Sequence, residues 1–130
     1  MKGYITNIEE KTLKNTDYRR VLYTAKNSQL VLMNIRPGDE IGNEMHKLDQ
    51  FIRIERGDAK AILNNSEEYE LHDDYAIIIP AGTWHNIINT GNKELKLYTV
   101  YSPPEHKDGT IHTTKAEEKE EHFNGQTTEQ

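Results

Sequence analysis

GDEIGNEMHKLDQFIRIERG, residues 38–57, is the stretch whose reading decides the fold. Its second half alternates, with Ile52 and Ile54 falling between Phe51, Arg53 and Glu55. A period of two places successive side chains on opposite faces of a strand. Gln50 shares the parity of the two isoleucines, and Glu44 and His46 are two apart, so each pair points to one face of an extended backbone. One face thus presents Glu, His, Gln and then apolar residues. That is a polar mouth above an apolar interior, the arrangement of a small ligand site in a barrel.

The strand-like pattern extends in both directions. Residues 20–24, 29–35, 51–55, 59–64, 69–71, 75–79, 85–89 and 95–101 are short runs rich in Val, Ile, Leu and Tyr. Turn signals separate them, among them Pro37-Gly38-Asp39, Arg56-Gly57-Asp58, Asn64-Asn65-Ser66 and Pro80-Ala81-Gly82. Strands at this spacing predict an all-β sandwich or jelly-roll barrel. After Tyr101 the pattern stops at Ser102-Pro103-Pro104-Glu105. Residues 1–114 are expected to form one barrel domain, and residues 115–130 a short charged helix over 115–121 followed by a frayed tail.

Composition narrows the function. At 130 residues, 34% of them hydrophobic, the chain suits one domain with a thin core that a second copy would help to cover. A net charge of −6 argues against nucleic acid and against an anionic membrane surface, both of which want a basic face. Residues 1–10 lack the apolar segment of a signal peptide, and no apolar run nears the roughly 20 residues that span a bilayer. The expectation is a soluble cytoplasmic protein. Without cysteine, disulfides and thiolate metal sites are excluded.

A second stretch, PAGTWHNIIN over residues 80–89, also sets a metal-capable side chain beside a turn. Together the two stretches resemble the cupin superfamily, known by the motifs G-x5-H-x-H-x3,4-E-x6-G and G-x5-P-x-G-x2-H-x3-N. The first is matched in register at Gly38, His46 and Gly57, with Glu44 in place of the first histidine and Gln50 in place of the glutamate. The second is matched at Pro80, Gly82, His85 and Asn89, with Asp74 in place of the leading glycine. The resemblance covers residues 29–101.

What it implies is a double-stranded β-helix, a jelly-roll barrel with a metal near its mouth held by Glu44, His46, Gln50 and His85. Two imidazoles, a carboxylate and an amide oxygen suit one divalent ion of Mn, Fe, Co, Ni or Zn better than Cu(I) or an iron–sulfur cluster. The segment from Tyr98 to His112 is similar to small cupins that resemble mannose-6-phosphate isomerases. The implied activity is metal-dependent, of isomerase or dioxygenase type, on a sugar, sugar phosphate, diketone or carboxylate, with Glu44 or Tyr101 handling the proton. A non-catalytic sensor or carrier for a small molecule or metal is the alternative, and a structural barrel the third reading.

Other residues carry narrower expectations. His72 belongs to a surface turn. His106 and His112 flank Lys107-Asp108-Gly109 in another, with closure of that segment over the mouth as the alternative. Trp84 and Tyr101 either wall the pocket or pack in the core. Arg53, Lys60 and Lys96 are the strand cations, none assignable to the interior, which weighs against a phosphate site. Phe51 opposes the ligand face, so a homodimer through Phe51 and the N-terminal strands is expected.

Overall fold

A computed structural model of the chain describes residues 2–129. The predicted alternation is realised as β1 (Arg19–Thr24), β2 (Gln29–Ile35), β3 (Asp49–Arg56), β4 (Ala59–Leu63), β5 (Glu67–Leu71), β6 (Ala76–Ile79), β7 (His85–Asn89) and β8 (Leu95–Ser102), joined by a short β9 (Ile111–His112). They form a six-stranded sheet in the order β6-β3-β8-β2-β1-β9 and a three-stranded sheet in the order β5-β4-β7, with neighbouring strands antiparallel throughout both. Residues 39–46 run beside β7 as an irregular extra edge, bridging at Glu40–Ile88 and Glu44–His85. The expected double-sheet jelly-roll is therefore present.

The core lies between the two sheets. Val31, Met33 and Ile35 on β2, Ile52 and Ile54 on β3, and Leu95 and Leu97 on β8 face Ala59, Ala61 and Ile87 from the smaller sheet, all buried. Burying each of the large aliphatic side chains contributes about 1.5–3 kcal/mol before entropy is charged against it. Gly57 closes the β3–β4 turn at φ +118°, and a Cβ there would lie 3.1 Å from the Leu95 Cα. Both the backbone angle and the close approach exclude other residues. Asp74, the departure from the second motif, stands at φ 71° and so keeps the left-handed backbone that a glycine would supply, which Asp tolerates better than most.

An unpredicted helix, α1 (Ile8–Lys14), precedes the barrel. Asn7 caps it by accepting from the Glu10 N–H, and Glu9 and Glu10 occupy the first turn, where the helix dipole favours acids. α1 packs on the outer face of β2, β3 and β8. This changes the reading of Lys96. Alternation sends it out of the barrel, but it is buried under α1, where its ammonium donates to the carbonyls of Leu13 (2.7 Å) and Asn15 (3.0 Å).

The C-terminal segment also departs from expectation. Residues 115–121 make a single 3-10 turn, Lys115–Glu117, instead of a helix. The run has Ala116 as its one apolar side chain, so a helix there would have no face to bury. The chain then returns as a strap across the barrel mouth: the Phe123 N–H donates to the Glu105 carbonyl (2.9 Å), His106 bridges to His122, and the Thr128 N–H reaches the Thr24 carbonyl (2.9 Å). His106 and His112 are accordingly not in an exposed turn; His112 is buried on β9, and His106 packs edge-on against Tyr101. His72 is at the surface as expected, its Nδ1 2.8 Å from Asp58 Oδ1. Among the described residues no helix is long and apolar enough to cross a membrane.

Candidate metal centre

Backbone pairing brings the site together. Glu44 and His85 face each other across an antiparallel bridge, so their side chains leave the same side of the sheet. Two residues on, His46 is held to the second motif by its carbonyl, which accepts from the Gly82 N–H at 2.8 Å. Among the described residues, Glu44, His46 and His85 form the one group of acidic or histidine side chains whose ligand atoms all lie within 4.8 Å of one another. Glu44 Oε1 is 3.2 Å from His46 Nε2 and 3.6 Å from His85 Nε2. For bonds of about 2.1 Å, ligand atoms stand roughly 3.0 Å apart around an octahedral ion and roughly 3.4 Å apart around a tetrahedral one. The spacing is that of a site needing little adjustment to close on a metal.

The chemistry of the donors points the same way. His46 Nε2, His85 Nε2 and Gln50 Oε1 are buried without an aligned hydrogen-bond partner, an arrangement that costs stability unless something else satisfies them. Each is oriented from behind. His85 Nδ1 lies 3.0 Å from the Thr83 carbonyl, which fixes that nitrogen as the N–H and leaves Nε2 with its lone pair free. His46 Nδ1 is 3.5 Å from Glu105 Oε2, and the Gln50 amide donates to Thr99 Oγ1 at 3.1 Å, turning its carbonyl oxygen away. Carboxylate or carbonyl support behind a histidine is the usual companion of metal ligation. The residues fit a divalent ion.

Electrostatics separate the roles. Burial alone would raise the Glu44 carboxyl, but the His46 and His85 imidazoles hold it down to about 2. Burial disfavours a charged His46, yet Glu44 and Glu105 together lift it above the ordinary range. Burial, followed by the nearby Arg19 guanidinium, lowers His106 to about 3, so it is neutral. Burial pushes the Tyr101 phenol well up, the Glu44 and Glu105 charges adding to it and Arg19 opposing.

Gln50, 2% exposed, lies directly opposite Tyr101 in the β3–β8 register, on the interior face that alternation predicted. Tyr101 packs edge-on against His46, ring centres 5.9 Å apart, and belongs to the buried core cluster behind the site. Trp84 is 43% exposed and serves as neither wall nor core. The residue that sequence reasoning missed is Arg19, an interior cation that could not be assigned from the strand pattern. Its neighbour Val21 belongs to the core, but β1 carries apolar residues of both parities in Val21, Leu22 and Tyr23, and its register shifts between Val21 and Tyr23. Alternation along the strand was therefore ambiguous. Arg19, Glu44, His46 and Glu105 share a cleft of about 850 Å³ between the barrel and the strap.

Residues 31–101 match a family model described as "Cupin domain". The chain is 45% identical over 122 residues to YrkC of Bacillus subtilis (strain 168), itself described as uncharacterized, covering 89% of this chain and 66% of that protein. It is 49% identical over 112 residues to L612 of Acanthamoeba polyphaga mimivirus, also described as uncharacterized, covering 83% and 70%. The chain thus spans about two thirds of the length of these curated relatives. The crystal structure of BH2720 from Bacillus halodurans superposes with a TM-score of 0.87 at 48% identity, over 89% of this chain and 92% of that one.

Proposed function

This chain belongs to the cupin domain family, and on that premise we propose that it binds one divalent transition ion, of Mn, Fe, Co, Ni or Zn, and acts through it on a small polar molecule. The observation that carries the reading is the set of buried, unpartnered donor atoms on His46, His85 and Gln50 beside the ionised carboxylate of Glu44. A bound ion would supply Lewis-acid polarisation of a carbonyl or hydroxyl, as isomerase or dioxygenase chemistry requires.

The chain's own residues have distinct tasks. Glu44, an ionised carboxylate beside the His46 and His85 imidazoles, is the residue that would hold the ion through oxygen. Tyr101 keeps its proton at neutral pH and serves as a donor, with His106 Nε2 3.4 Å from its hydroxyl. The ligand would sit in the half-open cleft between the barrel wall and the strap. The same inventory supports a second reading, a carrier or sensor, because Glu44, Tyr101 and His106 are all displaced from the pH range in which a general base works.

The test is elemental analysis of protein purified without chelator or a nickel column. About one metal per chain is expected, and its loss in a His46→Ala, His85→Ala double variant. Full metal content in that variant sinks the proposal. Oxygen uptake and sugar isomerisation by the loaded protein then separate enzyme from carrier; ligand-induced thermal shifts without turnover favour the carrier.

A further inference from the structure

Arg19 has no task in the reading above, yet it is a charged group 4% exposed. It pairs across β1–β2 with Met33, a core residue, so its side chain enters from the interior face. Its Nη1 donates to Glu118 Oε2 at 2.7 Å and lies 3.2 Å from His112 Nδ1. Its Nε, buried, has no hydrogen-bond partner. A guanidinium is a rigid planar fork that matches a carboxylate with two parallel bonds, and Glu118 takes only one bond from it, through Nη1.

The present counter-ion is a carboxylate on a tether. Glu118 sits on the strap just after the 3-10 turn, and its side chain is 38% exposed. Around it the backbone is held by the Glu118 N–H on the Lys115 carbonyl (3.0 Å), the Lys119 N–H on His112 Nε2 (3.4 Å) and the Phe123 N–H on the Glu105 carbonyl, none of which uses the Glu118 side chain. Glu118 therefore holds by its side chain a place that a free carboxylate can take.

We propose that the ligand of this cleft is a small monocarboxylate with a second oxygen, its carboxylate replacing Glu118 on Arg19 and its second oxygen facing Glu44, His46 and His85. The second half of that statement rests on the metal reading; the first half does not. Charge favours a carboxylate over a phosphate dianion. With a divalent ion bound and the histidines neutral, Glu44 and Glu105 cancel the ion, and the one positive charge left is that of Arg19, which Glu118 now balances. A monoanion restores that balance and a dianion overshoots it. Farther along the cleft Glu120 and Glu121 are matched by Lys47 and Lys119, so these outer charges leave the balance at Arg19 unchanged.

The experiment is calorimetric titration of the full chain, apo and Mn(II)-loaded, with glycolate, 3-hydroxypropionate and 4-hydroxybutyrate. Glycolamide is the neutral control for glycolate, and inorganic phosphate the competing oxyanion. At least one hydroxy acid is expected to bind and glycolamide not to. Removing the tethered competitor in Glu118→Gln is expected to tighten binding about fivefold or more, and Arg19→Lys to weaken it about tenfold, because the bidentate fork is lost. Equal affinity in Glu118→Gln and the native chain overturns the proposal, as does phosphate binding tighter than every carboxylate. The Glu118 variant leaves the barrel intact, so it decides the matter even if Arg19→Lys fails to fold. Metal content on the same samples keeps the two readings apart. Hydroxy-acid binding by a chain that takes no metal sinks the metal reading and leaves the carboxylate assignment standing. A metal-loaded chain indifferent to carboxylates does the reverse.

Discussion

Glu44 and His85 exchange two backbone hydrogen bonds, the N–H of each donating to the carbonyl of the other at 2.9 Å. The pair fixes where both side chains start without using either of them. A side-chain change at Glu44 should therefore alter the ligand set and leave the scaffold in place.

Glu44→His is accordingly expected to retain about one metal per chain, with preference moving from Mn toward Ni and Zn as nitrogen replaces oxygen. Glu44→Ala should lose at least about 10-fold in affinity, a ligand being worth no less than the groups that support one. Competition titration against a chelating dye measures both. Unchanged affinity in Glu44→Ala would show that the carboxylate is not a ligand.

Gln50→Glu restores the residue usual at that motif position, and its effect should depend on metal. In the apo protein a second buried carboxylate near Glu44 lacks a partner and should cost about 3 kcal/mol. In the loaded protein it gains the ion. The expected outcome is a metal-induced rise in Tm clearly larger than that of the native chain. A rise no larger would remove Gln50 from the ligand set.

His106 sets an acid limit on the apo fold. Its folded value, about 3, lies below the ordinary 6.5, so the folded state binds fewer protons than the unfolded one. The stability tied to this is complete above pH 6.5 and is lost as pH falls toward 3, by up to about 1.4 kcal/mol per pH unit. Glu44 acts lower, losing its contribution only below 4.5. Urea unfolding between pH 6.5 and 4.5 should therefore give a shallower slope for His106→Gln than for the native chain. Parallel slopes would contradict the assignment.

The dimer expected through Phe51 and the N-terminal strands can be sharpened by what is exposed. Leu32 of β2 is buried, and α1 packs on β2, so part of that face is already covered. Across β6-β3-β8, Ile78 lies opposite Phe51 and is 69% exposed, with Tyr98 packed edge-on to Phe51. The native chain is expected to scatter light as a dimer at micromolar concentration and Ile78→Glu as a monomer of similar Tm. A monomeric native chain would rule the dimer out.

The residues show why some of this was legible and some not. Ile52, Ile54 and Gln50 could be placed from alternation alone, because β3 alternates without interruption up to Ile54, where its register shifts, and one of its faces is apolar. The Glu44–His46 pair followed from spacing. Arg19 did not, because β1 has apolar residues on both faces and a bulge. α1 left a capping signal in Asn7 and Glu10, but its position over Lys96 depends on contacts more than 80 residues away in sequence. The strap was hardest, since its polar side chains look solvated until the barrel supplies partners such as Arg19 for Glu118.

Glu105 has a carboxylate with two employers. One oxygen backs His46 at 3.5 Å, and the other lies 3.0 Å from His122 Nδ1, while its carbonyl anchors Phe123. Any shift of Glu105 toward one histidine is felt at the other. Were an ion held at His46, its affinity and the ordering of residues 118–123 would be linked through this carboxylate, and the linkage would be reciprocal. Amide hydrogen exchange at Phe123, well away from any ligand atom, would then gauge occupancy inside the barrel.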